Sequence, residues 1–194
     1  KNKKVVGKPS ENKILPQHFL DNKTNFRSLS FARLSTMERD LAVVQFAKNT
    51  FTQDQIVVLT SMPLSNEGDY KIMGYGQSTP VINGVGYRTM GVKRVADVAK
   101  VRIDGKVIRF TSRMQGNAKK VLPGPAQGDS GGGLLRRNET TEEYELAGIF
   151  SGVFKTPKFT RNGGIYQSVY VDVQSDFAKD FFEQVRSLGA DIGQ

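Results

Sequence analysis

The sequence predicts an all-β protein closed by a single C-terminal α-helix. Three observations lead there. About a dozen short apolar runs, rich in Val, Ile, Phe and Tyr and bounded by Gly, Pro, Asn and Asp, recur along most of the chain. An Asp104-Gly105 step separates Val101-Arg102-Ile103 from Lys106-Val107-Ile108, the pattern of a tight hairpin. From residue 174 to 188 the apolar spacing changes to that of a helix.

The expected strands fall in two groups. The first comprises residues 3–7, 13–16, 25–34, 41–47, 55–59 and 70–74. The second comprises 87–93, 98–103, 107–112, 134–136, 146–150 and 165–171. Between them, residues 77–86 carry Pro80 and Asn83-Gly84, turn formers that suit a boundary between two lobes. The chain is therefore expected to be one domain over 1–194, with lobe 1 at about 1–78, lobe 2 at about 79–173 and the helix at about 174–188. Phe177, Phe181, Val185 and Leu188 supply the helix's apolar stripe, Ser175 or Asp176 caps its start, and Gly189 follows its end.

Composition narrows the chemistry. The 194 residues can bury roughly 70% of the unfolded surface, so no staple is needed. Cysteine is absent, which excludes disulfides, Cys-type zinc fingers and a thiol nucleophile. The single histidine, His18, excludes a His-rich metal site. No carboxylate cluster resembles a metal cage, and no metal or cofactor is expected. Lys and Arg outnumber Asp and Glu by 28 to 19, a net charge of +9. The basic residues are scattered, apart from Lys1, Lys3, Lys4 and Lys8 and the pairs Lys119-Lys120 and Arg136-Arg137. No basic block is interleaved with aromatics, so the pattern does not support a nucleic-acid site, and a basic nucleic-acid- or glycan-binding β domain is a third reading only. No window approaches 18 apolar residues, so no transmembrane helix is expected. Lys1 opens the chain without Met or an apolar signal core, as a processed or trimmed chain would.

Gly128-Asp129-Ser130-Gly131-Gly132-Gly133 is the most informative stretch. Its first five residues should arise by chance in roughly one chain per thousand of this length. A bland Gly-rich turn is one reading. The chemical reading is more specific. A nucleophilic serine needs its Oγ exposed on a tight turn whose N–H groups face a developing oxyanion, with glycines that admit a substrate backbone.

Gly128–Gly132 resembles the active-site turn of chymotrypsin-like (trypsin-like) serine proteases. The resemblance continues along the chain: Asp40-Leu41-Ala42-Val43-Val44 is similar to the segment carrying the triad Asp, Gly74-Tyr75-Gly76 to a Gly-Trp-Gly, Gly148-Ile149-Phe150-Ser151-Gly152 to the substrate-pairing strand, and Gly164–Val169 followed by a helix to the C-terminal segment. Asp40 and Ser130 lie 90 residues apart, and Ser130 and Ser151 lie 21 apart, as suits the family. The resemblance implies two six-stranded antiparallel β-barrel lobes with a C-terminal helix. It implies a serine endopeptidase in which Ser130 attacks the carbonyl, Asp40 orients a histidine, and the N–H groups of Gly128 and Ser130 form the oxyanion hole. Asp129 would organise the loop, usually by pairing with a freed N-terminus. Gly124, Gln127, Ser151, Gly152 and Val153 would bind substrate, the last three by strand addition.

Two placements of the catalytic histidine stand side by side. His18…Asp40…Ser130 keeps the family's order, with Lys13–Leu20 reading as a strand that ends in a His-bearing turn. Alternatively, Lys4-Val5-Val6-Gly7 resembles the strand after the catalytic His, which would then precede Lys1. In that case the chain would be an incomplete or inactive protease-fold protein that binds peptides. Two departures from the family pattern matter: Gly133 replaces a usual Pro, and Lys1-Asn2 does not resemble the terminus that pairs with the Asp, which leaves the partner of Asp129 open.

The resemblance also implies a specificity: Gly124, six before Ser130, stands where an Asp selects Arg or Lys, which argues against cleavage after those residues, and Val153 falls near a position that is often Gly and would narrow the pocket, so cleavage after small or medium apolar residues is expected. The partners implied are a protein or peptide substrate and a protein inhibitor, and the implied location is secreted or periplasmic. Asn22-Lys23-Thr24 and Asn138-Glu139-Thr140 match the glycosylation sequon.

Overall fold

The computed structural model describes residues 27–30, 37–45, 51–77, 91–113, 122–155, 164–187 and 189. The strands are β1 (Arg27–Ser30), β2 (Ala42–Gln45), β3 (Tyr70–Gly74), β4 (Arg94–Val98), β5 (Arg102–Ile103), β6 (Val107–Arg113), β7 (Gly133–Arg137), β8 (Tyr144–Lys155) and β9 (Ile165–Asp172), followed by helix α1 (Asp176–Ser187). Among the described residues every pairing between these strands is antiparallel, and the isolated Leu59–Leu146 bridge is parallel. The class is all-β with one C-terminal helix.

β1 and β2 form a two-stranded ribbon, and the other strands form one seven-stranded sheet in the order β4-β3-β7-β8-β9-β6-β5. Six strands in each of two lobes is not the count seen among the described residues. The expected strands at 3–7 and 13–16 lie outside them. β3, on the N-terminal side of the expected boundary at 77–86, is hydrogen-bonded into the seven-stranded sheet, and most of that boundary also lies outside the described residues.

The sheet curls. Val98 of β4 and Ile108 and Phe110 of β6, from opposite ends of the strand order, share one apolar cluster with Tyr70, Ile72, Leu134, Phe150 and Tyr170. A flat sheet would hold those strands several inter-strand spacings apart. The second cluster lies on the other face, between sheet and helix: Leu41, Val171, Val173, Ala178, Phe181, Phe182 and Val185. Tyr170 and Val171 show the division, since successive strand residues point to opposite faces and each is buried in a different cluster.

The local signals act as expected where a turn or cap defines them. Ile103 pairs with Ile108 across the Asp104-Gly105 turn, Gly105 has φ +80°, and Asp104 Oδ1 accepts the N–H groups of Lys106 and Val107 at 3.3 and 3.1 Å. Ser175 caps α1, its Oγ accepting the Ala178 N–H at 3.2 Å. Phe181 and Val185 are buried as the stripe predicts, joined by Ala178 and Phe182.

Three expected strands differ. The one at 98–103 is split between the end of β4 at Val98 and the short β5 at Arg102–Ile103. Residues 55–59 form none: Gln53–Gln55 is a 3-10 turn closed by Thr52 N–H donating to Gln55 Oε1 at 3.1 Å, Ile56 and Val57 stay exposed, and only Leu59 bridges, to Leu146. Of the strand expected at 87–93, residues 87–90 lie outside the described residues, and 91–93 form a turn leading into β4, which begins at Arg94.

Asp172, at the end of β9, is buried, and burial raises its pKa. The Gln174 N–H, which Oδ1 accepts at 2.8 Å, and the charge of Lys179 oppose that rise, while Asp104 adds to it. A carboxyl raised in the fold loses stability as pH climbs through its titration, because the folded state holds its proton more tightly than the unfolded chain. Asp172→Asn keeps the Oδ1 acceptor and removes the charge. It is expected to raise the thermal unfolding midpoint at pH 7, with the gain shrinking to nothing once the pH falls below the ordinary carboxyl range.

Candidate active site

The segment before β2 is fixed to the rest of the molecule residue by residue. Met37–Arg39 forms a 3-10 turn. The Glu38 carboxylate lies 3.4 Å from Lys106 Nζ, the Arg39 guanidinium stands 5.6 Å over the Phe177 ring, and Leu41 is buried in the helix-side cluster. Asp40, between these anchors, stays exposed, and its Oδ2 accepts the Ser151 hydroxyl at 3.0 Å.

Ser151 can reach Asp40 because β8 carries an extra residue there. Phe150 pairs with Tyr170 and Gly152 with Val169, so Ser151 has no partner on β9. A bulge of this kind re-aims the unpaired side chain. Its neighbour Phe150 binds the serine turn: Gly131 N–H donates to Phe150 O at 3.1 Å and Phe150 N–H to Gly132 O at 2.8 Å. Successive residues of one strand thus hold the turn bearing Ser130 and the carboxylate of Asp40.

The turn itself is two linked four-residue turns. Asp129 N–H donates to Ala126 O at 3.1 Å and Gly132 N–H to Asp129 O at 2.9 Å. Each has glycine in its third position at positive φ, Gly128 at +95° and Gly131 at +78°, conformations that side chains resist. Ser130 is exposed at the crest, and among the described residues the N–H groups of Gly128 and Ser130 donate to no protein acceptor. Gly133 stands where the family pattern has Pro; a Cβ there would lie 2.9 Å from Leu146 Cδ1.

Asp129 has defined partners. Oδ1 accepts Gly76 N–H at 2.7 Å and Oδ2 accepts Ala126 N–H at 2.9 Å. A Cβ on Gly76 would fall 2.6 Å from the carboxyl carbon, and one on Gly74 would overlap Oδ1. The Gly74-Tyr75-Gly76 spacing leaves room for this carboxylate.

Around Gly124 the side chains are polar and uncharged. A Cβ on Gly124 would overlap the Ser112 hydroxyl and lie 2.6 Å from Tyr166 Oη. Ser112 and Ser168 share a buried hydroxyl–hydroxyl contact of 2.7 Å, and Tyr166 Oη donates to Pro125 O at 3.0 Å. Burial raises the Tyr166 pKa, the bond with Ser112 lowers it, and the charge of Asp129 raises it again, so the phenol remains a neutral donor. Gly152 faces Met37, whose Cε would lie 3.2 Å from a Cβ at that position, and Val153 packs against the first cluster.

Of the residues singled out from sequence, Asp40, Ser130 and Ser151 are brought to one stretch of β8. Gly128 and Asp129 lie in the turn, and Gln127 is tied to Gln77 by Gln77 N–H donating to its carbonyl at 2.9 Å. His18 lies outside the described residues. Met37 and Ser112 were not singled out, since only long-range pairing brings them here, and Gly76 and Tyr166 were read only as parts of the 74–76 and 164–169 segments, without a role at the site. The Asn138 sequon is a structural element: Oδ1 accepts the Thr140 and Thr141 N–H groups at 2.9 and 3.2 Å, and Nδ2 donates to Glu145 Oε1 at 2.7 Å. Among the described residues no group of three His, Cys, Asp or Glu is placed to hold a metal, and no helix is long and apolar enough to cross a membrane.

A curled antiparallel sheet, a glycine-framed serine turn and an aspartate bonded to the adjoining strand are features of one protease class. The sequence matches the trypsin family over residues 15–175, and the chain belongs to that family. No curated protein matches it. Gly124→Ala is expected to lower stability by about 1–3 kcal/mol, because Ser112 or Tyr166 must move to admit the methyl. A fall of several degrees in the unfolding midpoint would show it.

Proposed function

We propose that the chain is a serine endopeptidase that cleaves peptide bonds through an acyl-enzyme on Ser130. The observation carrying this is that Asp40 and the Ser130 turn are hydrogen-bonded to successive residues of one strand, Ser151 and Phe150. Ser130 Oγ attacks the scissile carbonyl while His18 takes its proton, and Asp40 orients the imidazole and stabilises its cation. The Gly128 and Ser130 N–H groups receive the oxyanion. His18 returns the proton to the leaving amine, and water then releases the acyl group by the same steps.

Substrate binds extended along Ser151, Gly152 and Val153, a stretch whose edge away from β9 pairs with no strand among the described residues. Gln127 and Gly124 border the pocket for the residue before the cleaved bond. The uncharged Ser112, Tyr166 and Gly124 at that pocket support cleavage after small or medium apolar side chains, since none of these three offers a carboxylate to pair with Arg or Lys. The family suits a secreted or periplasmic protein, and a protein inhibitor would occupy the same groove.

A fluorophosphonate probe tests the chemistry. It is expected to label the wild-type protein on Ser130, to leave Ser130→Ala unlabelled, and to react at least about a thousandfold more slowly with His18→Ala. The wild-type rate should rise through pH 6–7 as the imidazole loses its proton. No labelling at any pH would replace the peptidase with a peptide-binding chain of the same fold. Unchanged labelling of His18→Ala would remove His18 as the base. In a panel of p-nitroanilide peptides, fastest turnover after Arg would overturn the specificity.

A further inference from the structure

Methionine carries a thioether that two-electron oxidants convert to a sulfoxide, which turns an apolar side chain into a polar one with a strong acceptor oxygen. One methionine of this chain lies against the stretch of β8 proposed to pair with substrate. We propose that Met37 is a modification site, at which oxidation by a peroxide weakens peptide binding along 151–153 while leaving the nucleophile in place. This rests on the peptidase reading and adds a redox control of the same groove. The step balances with the peroxide alone. The Sδ lone pair attacks one peroxide oxygen, the O–O bond breaks, an S–O bond forms, and water or an alcohol leaves. Sulfur is oxidised by two electrons and the peroxide is reduced by two.

Met37 opens the 3-10 turn that leads to Asp40. Its side chain lies along the bare face of Gly152: a Cβ there would stand 3.2 Å from Met37 Cε, 3.4 Å from Sδ and 3.9 Å from Cγ. The segment thus meets β8 at two successive residues, Asp40 at Ser151 and Met37 at Gly152. Met37 is half-buried, so an oxidant in solution reaches the side chain. A sulfoxide oxygen turned inward would be an acceptor withdrawn from water without a donor, which is costly. The oxygen therefore turns outward, beside the stretch of β8 where a peptide would lie. There it puts bulk and a dipole where a substrate side chain would meet an apolar neighbour. Asp40 keeps its place through its flanking anchors: Glu38 to Lys106, Arg39 over Phe177, and Leu41 in the helix-side cluster. None of the three involves the thioether. Met62 serves as a reference, since it is exposed in the connection to β3, where its carbonyl accepts Gln174 Nε2 at 2.7 Å.

Hydrogen peroxide is titrated onto the wild type, Met37→Leu and Met62→Leu, and mass-spectrometric peptide mapping follows each methionine. The KM of a p-nitroanilide tetrapeptide with alanine before the cleaved bond reads the groove. The fluorophosphonate rate reads Ser130, because that probe needs no extended peptide. As Met37 sulfoxide accumulates in the wild type, KM is expected to rise at least about tenfold while labelling stays within about threefold, and methionine sulfoxide reductase restores KM. Met62→Leu keeps that response. Met37→Leu, compared before and after peroxide only with itself, shifts by less than about twofold. If Met37→Leu does not fold, the reductase reversal in Met62→Leu carries the comparison. Met37 surviving as a thioether after Met62 is converted, Met37 sulfoxide with unchanged KM, or an equal rise in Met37→Leu would overturn the site. Loss of labelling in step with the rise in KM would overturn it too, by placing the damage at the nucleophile. Absence of turnover and labelling before any peroxide would instead refute the peptidase reading. The Kd of the same tetrapeptide carrying a fluorophore then replaces KM, and the same criterion decides the Met37 site.

Discussion

β8 is one residue longer than its partner β9 requires between Phe150 and Gly152, and the site is arranged around that mismatch. In a regular strand Ser151 would sit opposite a β9 residue and its side chain would follow the pleat. As the extra residue it points instead at Asp40, and its hydroxyl donates to the carboxylate across 111 residues of sequence. The preceding residue exchanges two backbone bonds with the serine turn. One irregularity therefore ties the carboxylate of Asp40 and the turn bearing Ser130 to neighbouring residues of the same strand.

Precision at that point depends on stiff surroundings. The residues flanking Asp40 are held by three kinds of contact: an ion pair at Glu38, a cation–π contact at Arg39 and full burial of Leu41. The exposed ion pair adds little by itself. Leu41 matters most, since it joins the cluster in which α1 packs against β9. The C-terminal helix thus supports a carboxylate that lies more than a hundred residues earlier, which gives that helix a role in the site as well as in the core.

Features governed by neighbouring residues could be read from the sequence. The Asp104-Gly105 hairpin, the Ser175 cap and the serine turn each depend on side chains within a few positions, and each has the form its residues dictate. Features governed by distant pairing could not. The sheet order and the bulge at Ser151 follow from which strands meet, which a local pattern does not encode. Residues 55–59 show the limit in one place: Gln55-Ile56-Val57-Val58-Leu59 has strand composition, yet a capped 3-10 turn precedes it and only its end finds a neighbour. The partner of Asp129 was equally hidden, because a backbone N–H carries no signature of its own. The Gly74-Tyr75-Gly76 spacing was the visible trace of it, as room for a carboxylate.

The claim at the centre of this account is that Asp40 and Ser151 are physically coupled. A double-mutant cycle on the stability of Asp40→Ala, Ser151→Ala and the double variant measures that coupling directly. The expected interaction energy is at least about 0.5 kcal/mol, with the second substitution having less effect once the first is made. Strict additivity would contradict it, by showing that the two side chains do not meet in solution.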